Sequence, residues 1–202
     1  MIGLVIYVVV FVYAASLYSG GSLYHMDSTD YSYFHNLLCD TMDVVTPNGL
    51  VNEGRSMAVI AHLILGVTMI SFFLVLPRVF ETQNRNTKMV AFFGVLSMTV
   101  FLFMFTQYHD LIVTITGIIG TMAMIPFFIE LQRRKGIDFK VISYLCFAMS
   151  IIVYLMFETK IGYFYLPLIQ KIAFVIDAIW VFWVCIIVIK KDNLATLRMG
   201  QV

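Results

Sequence analysis

Residues 56–76 read SMAVIAHLILGVTMISFFLVL, 21 residues without an acidic side chain, Lys or Arg, ended by Pro77-Arg78. A helix needs roughly 20 apolar residues to cross a bilayer, so this run reads as a membrane span. Its one ionisable residue, His62, lies about two turns inside, where an imidazole is costly unless it faces a cavity or a partner. Outward from this run the same pattern repeats. Apolar runs at residues 2–18, 89–105, 111–128, 141–157 and 163–189 complete six spans, with a loop at 19–55. The chain therefore reads as a single-domain, all-α polytopic membrane protein of six transmembrane helices.

Composition agrees. Hydrophobic residues make up 61 % of the 202 residues and charged residues 12 %, about half the share usual in soluble domains. The mean hydropathy is +0.91. The first run has no charged n-region and reads as a span rather than a signal peptide, although the following Tyr18-Ser19-Gly20-Gly21-Ser22 resembles a small-residue cleavage region as well as an exit turn. Cys39, Cys146 and Cys185 form no CxxC pair; the last two read as small core residues. No basic patch interleaved with aromatics suggests nucleic acid.

Basic residues give the orientation. Arg78, Arg85, Lys88, Arg133, Arg134, Lys135, Lys140, Lys190, Lys191 and Arg198 all fall on one side of the six-span plan, whereas the other side has only Arg55 and Lys160 beside seven acidic residues. The positive-inside rule makes the basic side cytoplasmic, with both termini there, in an inner or plasma membrane.

The long polar interval, residues 31–55, is then extracytoplasmic. Asp30 or Ser32 can cap a short interfacial helix beginning near Tyr33, which would set Asn36, Asp40 and Asp43 along one stripe and Phe34, Leu37 and Leu38 on another side. Thr46-Pro47-Asn48-Gly49 signals a turn. Asn52 or Glu53 is placed to stabilise the start of the second span.

Two functional readings compete over these polar groups. In the first, His35, Asn36, Asp40, Asp43, Asn52, Arg55, His62, His109, Asp110 and Lys171 gather at the outer mouth and bind a lipid or small amphiphile. In the second, His62, His109, Asp40 and Asp110 hold zinc, and the protein is an intramembrane hydrolase acting on lipids. Against both stands the plain alternative that the acids cap turns, His62 donates to a neighbouring helix carbonyl, and the chain is a structural subunit of a membrane assembly. Lys171 and Asp177 in the last span are six residues apart and share no helical face, so each needs its own partner or water. Lys171 lies within reach of the outer carboxylates. Asp177, near mid-membrane, reads as a fastening between helices, protonated or bonded to Ser and Thr side chains.

Tyr31-Ser32, Asn36, Cys39-Asp40, Thr46-Pro47, Asn52 and Gly66, then His109-Asp110 at a span boundary and Gln170-Lys171-Ile172 with Trp180, form a pattern that resembles the bacterial membrane family called domain of unknown function 998. That family is similar to the damage-regulated autophagy modulator and Sfk-type six-span proteins. The resemblance implies six helices and a polar outer cap, and it supplies no catalytic residue. Cys39 stands where Ser is expected and Lys171 where Arg is expected.

Overall fold

The computed structural model describes the backbone of residues 1–199 and the side chains of residues 1–193, so the side chain of Arg198 lies outside the described residues. The chain is helical: α1 is Ile2–Ser16, α2 Arg55–Val75, α3 Arg85–Phe101, α4 His109–Arg133, α5 Ile137–Thr159 and α6 Leu166–Met199. Among the described residues the nearest approach to a strand is one isolated bridge between Val45 and Val51. Four segments are long and apolar enough to cross a membrane: Arg55–Val79, His109–Arg133, Ile137–Thr159 and Tyr163–Asn193. α1, with 15 residues, is a shorter apolar helix, and α3 has 17 residues with Arg85 and Lys88 in its first turn. Apolar side chains stand exposed on all six helices, as Val9, Leu74, Phe92, Ile125, Leu155 and Val175 show.

Several helices outrun the apolar segments that announce them. α6 continues to Met199 rather than stopping near 189, because Lys190 and Lys191 extend a helix as readily as apolar residues do. α3 begins at Arg85 because Asn84 and Thr87 form a capping box, in which the Asn84 side chain accepts from the Thr87 amide at 3.1 Å and the Thr87 hydroxyl accepts from the Asn84 amide at 2.9 Å.

The short interfacial helix expected from Tyr33 onward does not form. One 3-10 turn, Cys39–Met42, is the regular structure in this part of the chain. The amides that an α-helix would point at earlier carbonyls are captured by side chains: Leu37 N–H donates to Asp40 (2.8 Å) and Leu38 N–H to Gln170 of α6 (2.9 Å). Polar side chains that offer the backbone such alternatives compete with helix. Ser32 does cap, but over one turn, accepting from the His35 amide at 3.3 Å. The 46–49 turn is present, closed by Gly49 N–H to the Thr46 carbonyl at 2.8 Å, with Gly49 at φ +85°.

The basic end of the bundle is tightly knit. Trp180 is buried with Phe72 and Phe127 edge-on at 5.3 and 5.7 Å, above a cluster that includes Leu76, Val90 and Leu131. Lys191 donates to the Arg78 and Phe80 carbonyls, and Arg134 to that of Val79. Glu130, which carried no sequence signal, is 3 % exposed and accepts from Asn86 (2.6 Å) and Arg133 (2.8 Å). That is the expected treatment of a buried carboxylate.

Pairing between neighbours is uneven. α1 lies against α2, α2 against α3, and α3 closely against α4, while α5 pairs with α6. α4 and α5 meet through long side chains instead: Thr114 donates to Glu158 (2.6 Å), Tyr154 lies over Gly117, and Phe128 stacks on Tyr144 at 5.0 Å. This splay leaves space in the bundle. At the α2–α3 crossing the fit is close, since a Cβ on Gly94 would sit 2.1 Å from the buried Phe73 ring. Gly94→Ala is expected to cost roughly 1–3 kcal/mol by overpacking, read as a lower thermal midpoint of the purified protein, with Gly49→Ala excluded as a control because its own backbone is left-handed.

Candidate functional site

The polar interval forms a folded cap, and Asn36 is its hub. Fully buried, Asn36 accepts from the Ser32 amide at 2.9 Å and donates to the Gly21 carbonyl (2.8 Å), Asp40 (3.2 Å) and the Tyr18 hydroxyl (3.4 Å). Its own carbonyl accepts from the Lys171 ammonium at 2.5 Å, which also bonds the Pro167 carbonyl at 3.1 Å. Tyr31 donates to the Leu37 carbonyl and faces Lys171, 5.5 Å from its ring centre. Lys171 thus finds backbone carbonyls and an aromatic face rather than a carboxylate.

Asn52 repeats the device nearer α2. Its amide donates to the Thr41 and Asp43 carbonyls (2.8 and 3.0 Å), and its oxygen accepts from Gly54 N–H at 3.0 Å, so it ties the 3-10 turn to the start of α2. Arg55 donates to the Met42 carbonyl at 3.0 Å. His35 lies on the outer cap, its ring 4.3 Å from that of His25.

Burial governs the cap's titration. It raises the Asp40 carboxyl to about 6, against the opposing help of the Leu37 amide, Asn36 and the Lys171 charge. Asp43 is raised for the same reason, with His109 and Arg55 opposing. Burial also pushes up the Cys39 thiol and the Tyr31 phenol, which keeps them protonated.

Beneath the cap lies a chamber of about 490 Å³. Leu38, Cys39, Thr41 and Met42 of the cap border it above, and Phe127, Trp180 and Val181 below; Met69, Met98, Met124 and Phe147 are among its apolar walls. Of the ten residues expected to bind a ligand, His62 and His109 line it. His35, Asn36, Asp40, Asp43, Asn52, Arg55, Asp110 and Lys171 do not: they build, cover or flank the roof. His62 bonds the Phe101 carbonyl at 2.9 Å, meeting a carbonyl at the C-terminal end of α3. His109 Nδ1 bonds the Asp110 carboxylate at 3.0 Å. The Asp40, His62, His109 and Asp110 set expected to hold zinc is not gathered, and among the described residues no three His, Cys, Asp or Glu side chains lie close enough to share a metal ion.

Of the chamber's polar groups, His62, His109 and Asp177 stand out in the sequence, whereas Thr116, Ser143 and Ser150 do not. Cys146 donates to Asp177 at 2.8 Å, and Trp180 donates to Ser143 at 2.9 Å. Ser143, Cys146 and Ser150 recur at i, i+3 and i+7 on α5, so one face of that helix is polar, and this spacing is the signal that was available. Asp177 does fasten α6 to α5, through a thiol rather than a Ser or Thr hydroxyl. Three described polar side-chain atoms are buried without a partner: His35 Nδ1, His109 Nε2 and Thr116 Oγ1. Two of them belong to residues of α4 that line the chamber.

No protein family, curated protein or solved structure matches the chain.

Asn36→Ala deletes four hydrogen bonds around buried groups. The cap is expected to lose on the order of 2–3 kcal/mol of local stability, seen as faster hydrogen exchange and proteolysis within residues 19–54. Asp40 sets a pH dependence. Its folded value lies above the ordinary 3.8, so the stability it contributes is fully present below about pH 4 and is lost as pH rises through about 6. Cap amides should therefore exchange faster above pH 6 than at pH 4 after correction for intrinsic rates, and Asp40→Asn should flatten the difference.

Proposed function

We propose that all six helices cross the membrane and that the chamber binds a lipid or small amphiphile from the bilayer. One observation carries the reading: a cavity of about 490 Å³, mostly apolar, with a few polar groups set into its walls. That volume and lining are those of a small-molecule site, which typically occupies 300–1,000 Å³. The exposed apolar faces of α1 and α3 support counting them as spans.

Orientation follows from charge. Arg78, Arg133, Arg134 and Lys191 lie at the end of the bundle opposite the cap, and by the positive-inside rule this supports a cap outside and both termini in the cytoplasm. On this topology a membrane amphiphile reaches the chamber from the side, across the α4–α5 seam where side chains alone join the helices. The cap keeps water from the chamber's outer end. Its many internal hydrogen bonds serve that purpose without placing its acids on the ligand.

Gly120 offers a test. It borders the chamber, and a Cβ there would meet Ser97 Oγ at 3.4 Å, an ordinary contact, so Gly120→Leu starts a larger side chain at the cavity without a clash at its Cβ. Native mass spectrometry of protein released from lipid nanodiscs should show a co-purifying amphiphile on the parent, and about tenfold lower occupancy on Gly120→Leu. The same amount retained by the variant, at an unchanged thermal midpoint, would refute the proposal.

A further inference from the structure

Resting on that reading, we infer that the chamber selects an uncharged, single-chain amphiphile whose head group carries hydroxyl donors, and that it discriminates against phosphate- and carboxylate-bearing lipids. No Lys or Arg lines the cavity among the described residues. The cap's cations are spent on main chain: Lys171 is bonded to the Asn36 and Pro167 carbonyls and Arg55 to that of Met42. An anionic head brought into these walls would lose its hydration and meet no positive partner, while the one carboxyl group there, Asp177, would oppose it.

What the walls offer instead is unmet hydrogen-bonding capacity. A carboxylate only accepts, so Nδ1 of His109 carries the proton directed to Asp110, and the buried Nε2 has no partner. Thr116, seven residues on, lies on the same side of α4 about 10 Å further along the axis, and its hydroxyl is likewise unpartnered. Both residues line the chamber. A buried polar atom without a partner is uncommon in folded proteins, and two on one wall of one cavity are accounted for by a ligand that supplies their partners. Hydroxyl groups both donate and accept, so a glycerol-like head suits either atom once its side chain turns to the cavity, its adjacent hydroxyls serving one of the two positions at a time. The chamber's size suits one acyl chain beside such a head rather than a two-chain phospholipid.

Competition among three probes in nanodiscs tests the assignment: monooleoylglycerol, oleoyl lysophosphatidic acid and sphingosine, each titrated against the parent protein, Thr116→Val, His109→Phe and Gly120→Leu. Monooleoylglycerol is expected to bind best. Thr116→Val, which removes a hydroxyl that bonds nothing in the protein, should weaken it about fivefold, the worth of one hydrogen bond, at an unchanged thermal midpoint; His109→Phe should act in the same direction. Preference for lysophosphatidic acid overturns the inference, as does preference for sphingosine, which would make Asp177 a charge partner. Monooleoylglycerol binding unaltered by Thr116→Val and His109→Phe overturns it too. Gly120→Leu separates the two levels: a wrong preference that this variant abolishes leaves the chamber as an amphiphile site, whereas binding of every probe that it leaves intact overturns both readings.

Discussion

The buried side chain of Asn36 fixes the Gly21 carbonyl, the Ser32 amide and the Asp40 carboxyl at once, and its main chain receives Lys171. Without it, some forty residues between α1 and α2 have neither strand nor long helix to occupy their peptide groups, and buried peptide groups must be occupied. The sequence solves this with short polar side chains placed where an ordinary protein would use a ladder. Asn36 and Asn52 each serve both an amide and carbonyls, because an amide side chain offers a donor and an acceptor in one group. The cap's rigidity follows, and so does the definite upper boundary of the chamber.

The chamber itself originates in an uneven distribution of small and large residues. Gly66 and Gly94 let α2 and α3 approach closely, and α3 and α4 run together along their length. Between α4 and α5, Tyr154, Phe128 and Tyr144 hold the backbones apart. A bundle that is tight on one side and propped open on the other keeps an interior space that close packing would otherwise remove. Methionines on the walls suit such a space, since an unbranched thioether adapts to irregular gaps.

The helical character of the chain was legible because lipid exposure demands uninterrupted apolar runs, and residues 56–76 show this without ambiguity. Helix ends were not, since Arg85, Lys190 and Lys191 are good helix formers that hydropathy treats as boundaries. The polar interval was recognised as a cap, yet its conformation was misjudged: i, i+4 spacing of Asn36 and Asp40 looks helical, and only the tertiary partner Gln170 reveals that the Leu38 amide is spent elsewhere. Position in the loop also misled. Most of the conspicuous acids and histidines are framework, with His62, His109 and Asp177 as exceptions, whereas Thr116, Ser143 and Ser150 border the cavity while looking like ordinary span residues. A hydroxyl in an apolar run carries no mark that separates one bonded to its own helix from one facing a void.

Six of the fastenings between distant parts of this molecule share a form. Lys171 to the Asn36 carbonyl, Gln170 to the Leu38 amide, His62 to the Phe101 carbonyl, Arg55 to that of Met42, Arg134 to that of Val79 and Lys191 to that of Phe80 all join a side chain to main chain. Such contacts are genetically one-sided: every residue type presents the peptide carbonyl and all but proline the amide, so substitution at the main-chain position leaves that partner in place and exerts no pressure on the side chain. Homologues would hold the side-chain partner constant while the opposite position drifts, and these contacts would leave little trace as correlated pairs in an alignment.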